Sequence, residues 1–557
     1  MCLKPTSNRG SSKYFVQIAL YLHKASKTPP YLVFKQNFTI MIELNIFYFG
    51  LFFSLTLVII KLYNLLKAGV NMLLCELVKN IEYTVERGGL DRDITDIVYD
   101  SRKVTAGSLF VCLKGSAADG HKYASDAVSK GAAALVISDE VETGGDVSVI
   151  KVSDTRVALA FLSAEFFGNP AKELTTIAIT GTKGKTTSVA MIKSILEHAG
   201  IKCGTIGTLG IIIGDRLIKT DNTTPESYEV QKAMREMVKD GCRAMIIEAS
   251  SIGLKWHRVD AVEFDYGIFT NFSHDHIGGV EHKDMDEYLE CKAMLFKKCK
   301  VGIVNRDDEK WREIIKDCTC EVETYGFDKD ADFVASNDEL LSKPGFLGAR
   351  FELSGKRSLK VDVAIPGHFS VYNALCAIAV CSDIGVSDDD ITEGLKSVQV
   401  KGRVEIVPVP GNYTLLIDYA HNALSMENVL TTLRKYNPNR LITLFGAGGN
   451  RPKVRRYEMG ETSGRLSDLS VITEDNSRFE DVMDIIEDIK TGIAKTDGKY
   501  VVVPNRKDAI RYCIENAEDG DIIVLAGKGH EDYQEIRGVK YHMDERELVA
   551  EILSEKK

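Results

Sequence analysis

Residues 175–200 limit the folds open to this chain more than any other part of the sequence. An apolar run, TTIAIT (175–180), leads into the glycine-rich stretch TGTKGKTT (180–187), and SVAMIKSILEHAG (188–200) continues with helical spacing. In a strand–loop–helix unit of this kind, the backbone N–H groups of the loop and of the helix N-terminus surround nucleotide phosphates. We therefore predict a nucleotide site in an α/β domain.

The side chains of this loop have predicted tasks. Lys185 is expected to reach the β- and γ-phosphates, and the Thr186 hydroxyl is expected to bind Mg²⁺. The loop is shorter than the common GxxxxGK[ST] sequence, because only two residues separate the first glycine from the Gly-Lys pair. The predicted nucleotide-binding residues are Gly181, Thr182, Lys183, Gly184, Lys185, Thr186 and Thr187.

Strand-like and helix-like runs alternate from residue 72 onward. RAMIIEAS (243–250) and DIIVLAG (521–527) are examples of the short apolar runs that are typical of buried parallel strands. Such alternation predicts a three-layer α/β architecture with largely parallel sheets. The simplest division is an N-terminal extension, 1–71, followed by three domains, 72–172, 173–402 and 403–557.

Length, charge and cysteine content narrow the class of protein. A chain of 557 residues is long enough for several domains. A formal net charge of −10 argues against nucleic-acid binding through a basic surface. The 12 cysteines are irregularly spaced without a CxxC pair, which is typical of reduced thiols in the cytoplasm. These features predict a multidomain cytoplasmic protein that does not bind nucleic acid through a basic surface.

The apolar segment 44–60 raises the question of a membrane. Its 17 residues, LNIFYFGLFFSLTLVII, carry no charge and lie between Glu43 and Lys61, at the short end of what spans a bilayer. Basic residues upstream would hold the N-terminus on the cytoplasmic side. One interpretation is therefore a single N-terminal membrane anchor.

The other interpretation is that residues 1–71 come from a mis-assigned translation start. Met72 opens MLLCELVKNIEY, which has the character of the start of a globular domain. The preceding Ala68-Gly69-Val70 can be encoded by GCA GGA GTN, which contains the ribosome-binding sequence AGGAG. The membrane prediction holds only if residues 44–60 are translated.

From Met72 to its end, the chain resembles the Mur ligase family in a series of motifs. In order they are Asp100-Ser101-Arg102, the glycine-rich loop, Thr223-Thr224-Pro225, Glu248-Ala249-Ser250-Ser251, Thr270-Asn271 with Asp275-His276, Lys292, Gly402-Arg403-Val404-Glu405, Asp418-Tyr419-Ala420-His421, Gly448-Gly449-Asn450-Arg451, Asp475-Asn476-Ser477-Arg478 and Gly527-Lys528-Gly529-His530-Glu531. Within the family, the series is most similar to that of the UDP-N-acetylmuramoyl-tripeptide synthetases.

The resemblance implies a three-domain ligase with a central P-loop ATPase-like parallel sheet and a C-terminal Rossmann-like domain. It implies ATP-dependent addition of a diamino acid to UDP-N-acetylmuramoyl-L-alanyl-D-glutamate through an acyl phosphate, in peptidoglycan precursor synthesis. The implied partners are this UDP-linked dipeptide, the diamino acid and ATP, with no nucleic acid, and the expected oligomeric state is a monomer.

Four residues are implied in catalysis. Besides Lys185, these include Glu248, which ends the strand-like run AMIIE, where α/β sheets place active-site groups and where a carboxylate can hold Mg²⁺. By resemblance, His276 binds a second Mg²⁺, and the Lys292 amine takes up CO₂ to become a carbamate that orients the metal site. The implied metal ligands are Thr186, Glu248, His276 and carbamylated Lys292.

The resemblance also implies binding residues in each domain. For the UDP-substrate they are Ser101, Thr223, Thr224, Ser250 and Arg258. Around ATP, where the second and third domains meet, they are Asn373, Arg403, Asp418 and His421. For the incoming amino acid they are Arg451, Asp475, Asn476, Ser477, Arg478, Gly527 and Glu531.

Arg478 favours meso-diaminopimelate over L-lysine as the amino acid. The two differ by one carboxylate, which an arginine can hold with paired charge-assisted hydrogen bonds. The diaminopimelate-adding enzymes carry Asp-Asn-Pro-Arg, whereas this chain has Asp475-Asn476-Ser477-Arg478, and the lysine-adding enzymes lack the arginine. A lysine-adding ligase is the alternative.

Several positions depart from the family sequence. Ser477 replaces a proline and is expected to loosen the turn that aims Arg478. Asn422-Ala423-Leu424 replaces Thr-Pro-Asp, Trp256 replaces a polar substrate contact, and the spacing from His276 to Lys292 is two residues longer. These departures concern the acceptor and the fine geometry rather than the ATP chemistry.

Two further hypotheses come from outside this subfamily. A folate polyglutamate synthetase would share the loop and central domain, but it is not expected to carry the Ser101-Arg102 domain. A membrane-tethered ATP-binding paralogue without ligase activity is the other, and retention of Lys185, Glu248, His276 and Lys292 argues against it.

Overall fold

The computed structural model describes residues 72–115, 118–274, 277–278, 281–343 and 345–555. The apolar segment 44–60 and the two interpretations of residues 1–71 lie outside these ranges. Within the described ranges, no helix is both long enough and apolar enough to cross a membrane. The residues from Leu73 onward form one compact unit.

The first domain contains a five-stranded sheet in the order β2-β7-β6-β5-β4. Its elements are β1 (Met72–Leu73), α1 (Leu74–Leu77), β2 (Thr84–Arg87), β3 (Asp93–Ile94), β4 (Asp96–Val98), β5 (Ser108–Val111), α2 (Ala124–Ser129), β6 (Ala134–Ile137), β7 (Ser148–Lys151) and α3 (Thr155–Phe166). Strands β4 to β7 run parallel, and β2 pairs antiparallel with β7. Asp154 begins α3 because its carboxylate accepts the N–H groups of Arg156 and Val157.

The middle domain is built on an eleven-stranded sheet in the order β11-β10-β9-β12-β8-β13-β14-β15-β16-β17-β18. Its elements are β8 (Thr175–Thr180), α4 (Lys185–His198), β9 (Cys203–Gly207), β10 (Gly210–Ile213), β11 (Arg216–Ile218), α5 (Ser227–Lys239), β12 (Ala244–Glu248), α6 (Ser251–Lys255), β13 (Phe264–Phe269), α7 (Met285–Ala293), β14 (Cys299–Asn305), α8 (Trp311–Ile314), β15 (Glu321–Gly326), β16 (Phe333–Lys343), β17 (Phe346–Gly355), β18 (Leu359–Val363), α9 (Phe369–Asp383) and α10 (Asp388–Ser397). The strands from β9 to β16 in this order are parallel, and antiparallel strands extend the sheet at both ends.

Strand β8 is held in the sheet by apolar contacts on both faces. Ile177 and Ile179 belong to the core that α4 and α9 cover, whereas Ala178 belongs to the core that α5 covers. Successive strand residues point to opposite faces, so an unbroken apolar run can satisfy both cores. Burial of each isoleucine contributes about 1.5–3 kcal/mol, and this anchors the loop that follows the strand.

The third domain contains a six-stranded sheet in the order β19-β20-β24-β21-β22-β23, parallel except for β19. Its elements are β19 (Glu405–Val407), β20 (Thr414–Asp418), α11 (Ala423–Arg434), β21 (Leu441–Phe445), α12 (Val454–Leu466), β22 (Leu469–Ile472), α13 (Val482–Ile493), β23 (Tyr500–Val502), α14 (Arg506–Glu515), β24 (Ile522–Ala526), β25 (Tyr533–Ile536), β26 (Val539–His542) and α15 (Glu545–Glu555). Strands β25 and β26 form a separate antiparallel hairpin.

This architecture confirms the predicted α/β class and its three-domain organisation. The exact boundaries, 172/173 and 402/403, stay predictions. The antiparallel β16–β18 extension of the middle sheet does not follow from the alternating pattern of the sequence. Strand β16 reads FVASNDELLSK, whose polar residues do not follow the apolar pattern of a buried parallel strand.

Candidate functional site

The glycine-rich loop joins β8 to α4 at the centre of the middle sheet. Gly181 and Gly184 have positive φ angles, +144° and +88°. A Cβ atom on Gly181 would lie 1.9 Å from Thr270 Oγ1, and one on Gly184 would lie 2.4 Å from Asn373 Oδ1. Both space and backbone conformation therefore require glycine at these positions.

The end of β13 braces this loop. Thr270 Oγ1 donates to the Lys183 carbonyl oxygen at 2.7 Å, and the Lys183 N–H donates to Asn271 Oδ1 at 2.9 Å. Thr182 N donates to the Asn271 carbonyl oxygen at 2.8 Å. Thr270 and Asn271 belong to one of the family motifs, but nothing in the sequence indicates what they contact. Here they hold the loop in shape.

Lys185 and Thr186 open helix α4. Lys185 Nζ donates to the carbonyl oxygens of Gly181 and Thr182, at 2.8 and 3.2 Å. Lys183 is exposed, and Thr187 is half-buried in the first turn of the helix. The predicted nucleotide-binding residues therefore form one continuous surface at the carboxyl end of β8.

Glu248 ends β12, the strand beside β8, and only 2% of it is exposed. Its carboxylate accepts from Thr186 Oγ1 at 3.0 and 3.1 Å. It also accepts from the N–H of Thr208 at 2.9 Å and from Thr208 Oγ1 at 3.1 Å. Carboxylate and hydroxyl oxygens gathered in this way fit a hard divalent cation such as Mg²⁺. Thr208 lies outside the motifs, so its contact with Glu248 could not be predicted from the sequence.

Lys292 lies on α7 with 1% of its surface exposed. Its Nζ donates to the Gly181 carbonyl oxygen at 3.0 Å and lies 4.2 Å from the centroid of the Tyr288 ring. The sequence spacing predicted that Lys292 lies on a helix but not what it contacts. In the structure it contacts the glycine-rich loop. His276, the other implied metal ligand of this segment, lies outside the described residues.

Four of the predicted UDP-substrate residues form a wall beside Glu248. Thr224 Oγ1 donates to the Glu248 carbonyl oxygen at 2.7 Å and accepts from the N–H of Ser250 at 3.0 Å. Thr223 Oγ1 lies 3.3 Å from Thr208 Oγ1. Arg258 is 4% exposed and donates to the Thr224 carbonyl oxygen at 2.8 Å. The hydrogen bond from Thr224 to the Glu248 backbone thus places this wall next to the residue that carries the carboxylate.

The fifth UDP-substrate residue, Ser101, lies apart from this wall on the first domain. It begins the short 3-10 helix Ser101–Lys103, which Asp100 caps. The Lys130 ammonium donates to its carbonyl oxygen at 3.0 Å.

Trp256 lies at the junction of the first and middle domains. The guanidinium carbons of Arg156 and Arg258 lie 4.6 and 5.1 Å from the centroid of its ring. Arg156 comes from α3 of the first domain, and both arginines pair with Glu226, at 3.1 and 2.9 Å. The tryptophan that departs from the family sequence therefore packs within an ionic contact between two domains.

The predicted ATP residues of the third domain surround the start of that domain. Asp418 is 4% exposed, and its two carboxylate oxygens accept the N–H groups of Val404 and Ala420, each at 2.8 Å. Burial raises the pKa of Asp418, although these hydrogen bonds oppose the shift. The Arg403 guanidinium lies 5.2 Å from the Tyr419 ring centroid, and His421 is exposed.

Arg478 is held by the β25–β26 hairpin. Its φ is +52°, its N–H donates to the Glu535 carbonyl oxygen at 3.0 Å, and its own carbonyl oxygen accepts from the N–H of Arg537 at 2.6 Å. Its guanidinium donates to the Gly449 carbonyl oxygen at 2.7 Å and lies 3.3 Å from the Glu535 carboxylate. The expected loosening by Ser477 is therefore offset by the hairpin, which pins the backbone on both sides.

The other predicted amino-acid residues gather around Arg478. Asp475, Asn476 and Ser477 are buried, and Gly527 faces Asp475 so closely that a Cβ would lie 2.7 Å from its carboxylate. Asn476 Nδ2 donates to Glu531 Oε2 at 3.1 Å. A Cβ on Gly448 would lie 3.6 Å from Arg478 Nη1 and 3.8 Å from Arg451 Cγ, so both arginines lie beside the same glycine.

Three regions of the chain match family domains. They are the Mur ligase family catalytic domain over residues 93–167, the Mur ligase middle domain over 179–381, and the Mur ligase glutamate ligase domain over 402–529.

The chain is also similar to named proteins over nearly their whole length. It is 40% identical over 492 residues to a UDP-N-acetylmuramoyl-L-alanyl-D-glutamate–2,6-diaminopimelate ligase of Clostridium perfringens, covering 87% of this chain and 100% of that protein. A solved structure of a ligase with the same name is 28% identical, with a TM-score of 0.67, covering 87% of this chain and 99% of the other. A MurF ligase of Thermotoga maritima in complex with ADP is 16% identical, with a TM-score of 0.53, covering 83% and 97%.

Proposed function

The chain belongs to the Mur ligase family, and from that premise we propose that it adds meso-diaminopimelate to UDP-N-acetylmuramoyl-L-alanyl-D-glutamate with consumption of ATP. The product would be the UDP-linked tripeptide of peptidoglycan precursor synthesis. The Clostridium perfringens relative, which is similar over its whole length, is named for this reaction.

The observation that carries the proposal is the position of Glu248 between two sets of residues. Its carboxylate accepts hydrogen bonds from Thr186, a predicted nucleotide-binding residue of the loop, at 3.0 and 3.1 Å. Its carbonyl oxygen accepts from Thr224 of the UDP-substrate wall at 2.7 Å. A nucleotide on the loop and a peptide on the wall would therefore meet at Glu248, as phosphoryl transfer from one to the other requires.

The proposed reaction has two steps. The terminal carboxylate of the dipeptide attacks the γ-phosphorus of ATP, which forms an acyl phosphate and releases ADP. The amine of the diamino acid then attacks the acyl carbon, which forms the amide, releases phosphate and leaves a proton to solvent. Lys185 and the loop N–H groups compensate the charge that develops on the transferred phosphoryl oxygens.

Thr186, Glu248 and Lys292 are the described residues that would serve a metal centre. A magnesium ion held by these residues would supply positive charge next to the phosphates. Lys292 is buried beside the phosphate loop, with its Nζ 3.0 Å from the Gly181 carbonyl oxygen. We propose that its amine takes up CO₂, releases a proton to solvent and becomes an anionic carbamate that orients the metal, as the family resemblance implies.

The assay that tests the function combines the protein with ATP, Mg²⁺, UDP-N-acetylmuramoyl-L-alanyl-D-glutamate and either meso-diaminopimelate or L-lysine, and product mass is the readout. We expect the diaminopimelate adduct together with ADP and phosphate. A lysine-only product would contradict the specificity, and no product with either amino acid would contradict the function. Lys185→Ala should abolish turnover, whereas Lys202→Ala, at an exposed lysine paired with Asp240, should not.

Replacing Trp256 with alanine should raise the KM for the UDP-substrate about 5- to 30-fold, because two cation–π contacts that hold Arg156 and Arg258 would be lost. The KM for ATP should change by less than about threefold. Steady-state kinetics with each substrate varied in turn would measure both.

The chain offers a matched control for this tryptophan. Trp311 also lies between two arginines, Arg306 and Arg312, at 5.6 and 4.5 Å, on α8 of the same domain. Trp311→Ala should leave the KM for the UDP-substrate unchanged. Equal effects of the two substitutions would refute a specific role for Trp256.

A further inference from the structure

Lys528 has no solvent exposure, although it belongs to the loop that carries two predicted amino-acid-binding residues. Its ammonium donates to Glu531 Oε2 at 2.8 Å and to Asn476 Oδ1 at 2.9 Å, and it lies 3.8 Å from Asp475 Oδ1. A fully buried ammonium is costly unless it is paired and hydrogen-bonded. Here each of the three partners is itself a predicted amino-acid-binding residue.

The Lys528 ammonium determines which way the Asn476 amide points. Asn476 Oδ1 accepts from Lys528 Nζ and from the N–H of Glu535, at 2.9 and 2.8 Å, so both of its lone pairs are used. A flipped amide would place its NH₂ group against two donors. Asn476 Nδ2 is therefore directed to Glu531, where it donates to Oε2 at 3.1 Å.

The Lys528 ammonium also makes the two carboxylate oxygens of Glu531 different, because it binds Oε2 and not Oε1. Oε2 accepts from Lys528 and from Asn476 Nδ2 and is fully engaged. From the described residues, Oε1 accepts one long hydrogen bond, 3.4 Å, donated by the Tyr419 hydroxyl. Oε1 is thus the oxygen that remains able to accept a strong hydrogen bond from an incoming cationic amine.

The net charge of the cluster formed by Lys528, Asp475 and Glu531 also favours binding of a cationic amine. Lys528 contributes one positive charge against the carboxylates of Asp475 and Glu531, which leaves a net charge of about −1 in the cluster at neutral pH. A diamino acid brings an ammonium group that would neutralise this charge.

The backbone around Lys528 has a separate support. Arg506 is 1% exposed and donates to the carbonyl oxygens of Glu474 and Ala526, at 3.0 and 2.9 Å, and to the Glu545 carboxylate at 2.9 Å. These bonds tie the ends of β22 and β24 together behind the site. Loss of the Lys528 side chain should therefore reorient Asn476 and Glu531 without unfolding the strands that carry them.

We propose that Lys528 is a positioning residue for the amino-acid substrate. It fixes Asn476 and aims Glu531 Oε1 at the ammonium group of the diamino acid without contacting the substrate itself. The inference rests on the proposed function, since it concerns the amino acid that the ligase adds.

The test is steady-state kinetics of Lys528→Met in the full chain, with the unfolding midpoint measured beside it. We expect the KM for diaminopimelate to rise about 10- to 100-fold, as for the loss of a hydrogen bond to a charged group. The KM for ATP should change less than threefold. Lys540→Met is the matched control, because Lys540 is exposed and its Nζ lies 4.2 Å from the centroid of the Tyr533 ring, which the Lys528 Nζ approaches at 5.2 Å.

A double-substitution cycle separates positioning from general damage. If Lys528 acts through Glu531, the Lys528→Met/Glu531→Gln pair should bind diaminopimelate no more weakly than Glu531→Gln alone. Additive losses would overturn the proposal, and so would an unchanged KM in folded Lys528→Met. If Lys528→Met does not fold, Lys528→Arg takes its place. Arginine keeps the positive charge but moves it, so the same rise in the KM for diaminopimelate is expected. Wild-type protein without ligase activity would instead overturn the proposed function.

Discussion

Replacing Arg478 with alanine is expected to lower kcat/KM for meso-diaminopimelate about 100- to 1000-fold, because the distal carboxylate would lose a paired, charge-assisted contact. The guanidinium is already oriented by the Gly449 carbonyl oxygen at 2.7 Å and by Glu535 at 3.3 Å. A pre-oriented group loses little entropy on binding, so most of its interaction energy should appear in the kinetics. Steady-state assays with diaminopimelate and with L-lysine would measure the change. The ratio of kcat/KM for diaminopimelate to kcat/KM for L-lysine should fall.

Arg537 is the matched control for Arg478. It is exposed on the turn of the same hairpin, and it supports Arg478 through its backbone N–H, at 2.6 Å. Arg537→Ala keeps that N–H and should retain activity within about twofold to threefold, since exposed surface substitutions have small effects. Equal losses in the two variants, or an unchanged preference for diaminopimelate in Arg478→Ala, would count against a carboxylate-binding Arg478.

Replacing Lys292 with alanine is expected to reduce kcat about 100- to 1000-fold, with a much smaller effect on the KM values, because a charged group that orients the metal would be lost. A short carboxylic acid such as acetate or propionate should restore part of the activity by supplying the missing anion. In wild-type protein equilibrated with ¹³C-bicarbonate, a carbamate signal should appear in the ¹³C NMR spectrum and be absent from the variant.

Lys300 provides the control for this experiment. It lies near the start of β14, is exposed, and pairs with Asp265 at 2.8 Å. Lys300→Ala should keep both the activity and the carbamate signal. Full activity of Lys292→Ala would refute the assignment.

The sequence predicted the nucleotide loop because its information is local. A strand, a glycine-rich turn and a helix follow each other within 175–200, and each piece has its own pattern. The residues that brace this loop were not assigned roles. Thr270 and Asn271 lie 87 and 88 positions from Lys183, with which they bond, and their types are common in turns.

In the amino-acid site, too, the sequence predicted the functional residue but not the contacts that support it. The sequence retained Arg478 but had Ser477 in place of proline, and from the local pattern we expected a looser turn. The structure places the β25–β26 hairpin against this segment, with Glu535 and Arg537 bonded to the backbone of Arg478. Hydrogen bonds from a hairpin that is distant in sequence thus restrict the backbone here, as a proline ring would do locally. A local sequence pattern does not show such long-range hydrogen bonds.

By itself the sequence determined the α/β class, the phosphate loop and the kinds of side chain available for chemistry, since local periodicity and motifs encode these. Only the tertiary structure decided which of those side chains share a site. Thr208 reaches Glu248 across 40 positions, and Lys528 reaches Asn476 across 52. Such pairs form because the carboxyl ends of the strands in a parallel sheet lie along one edge of that sheet, whatever their separation along the chain.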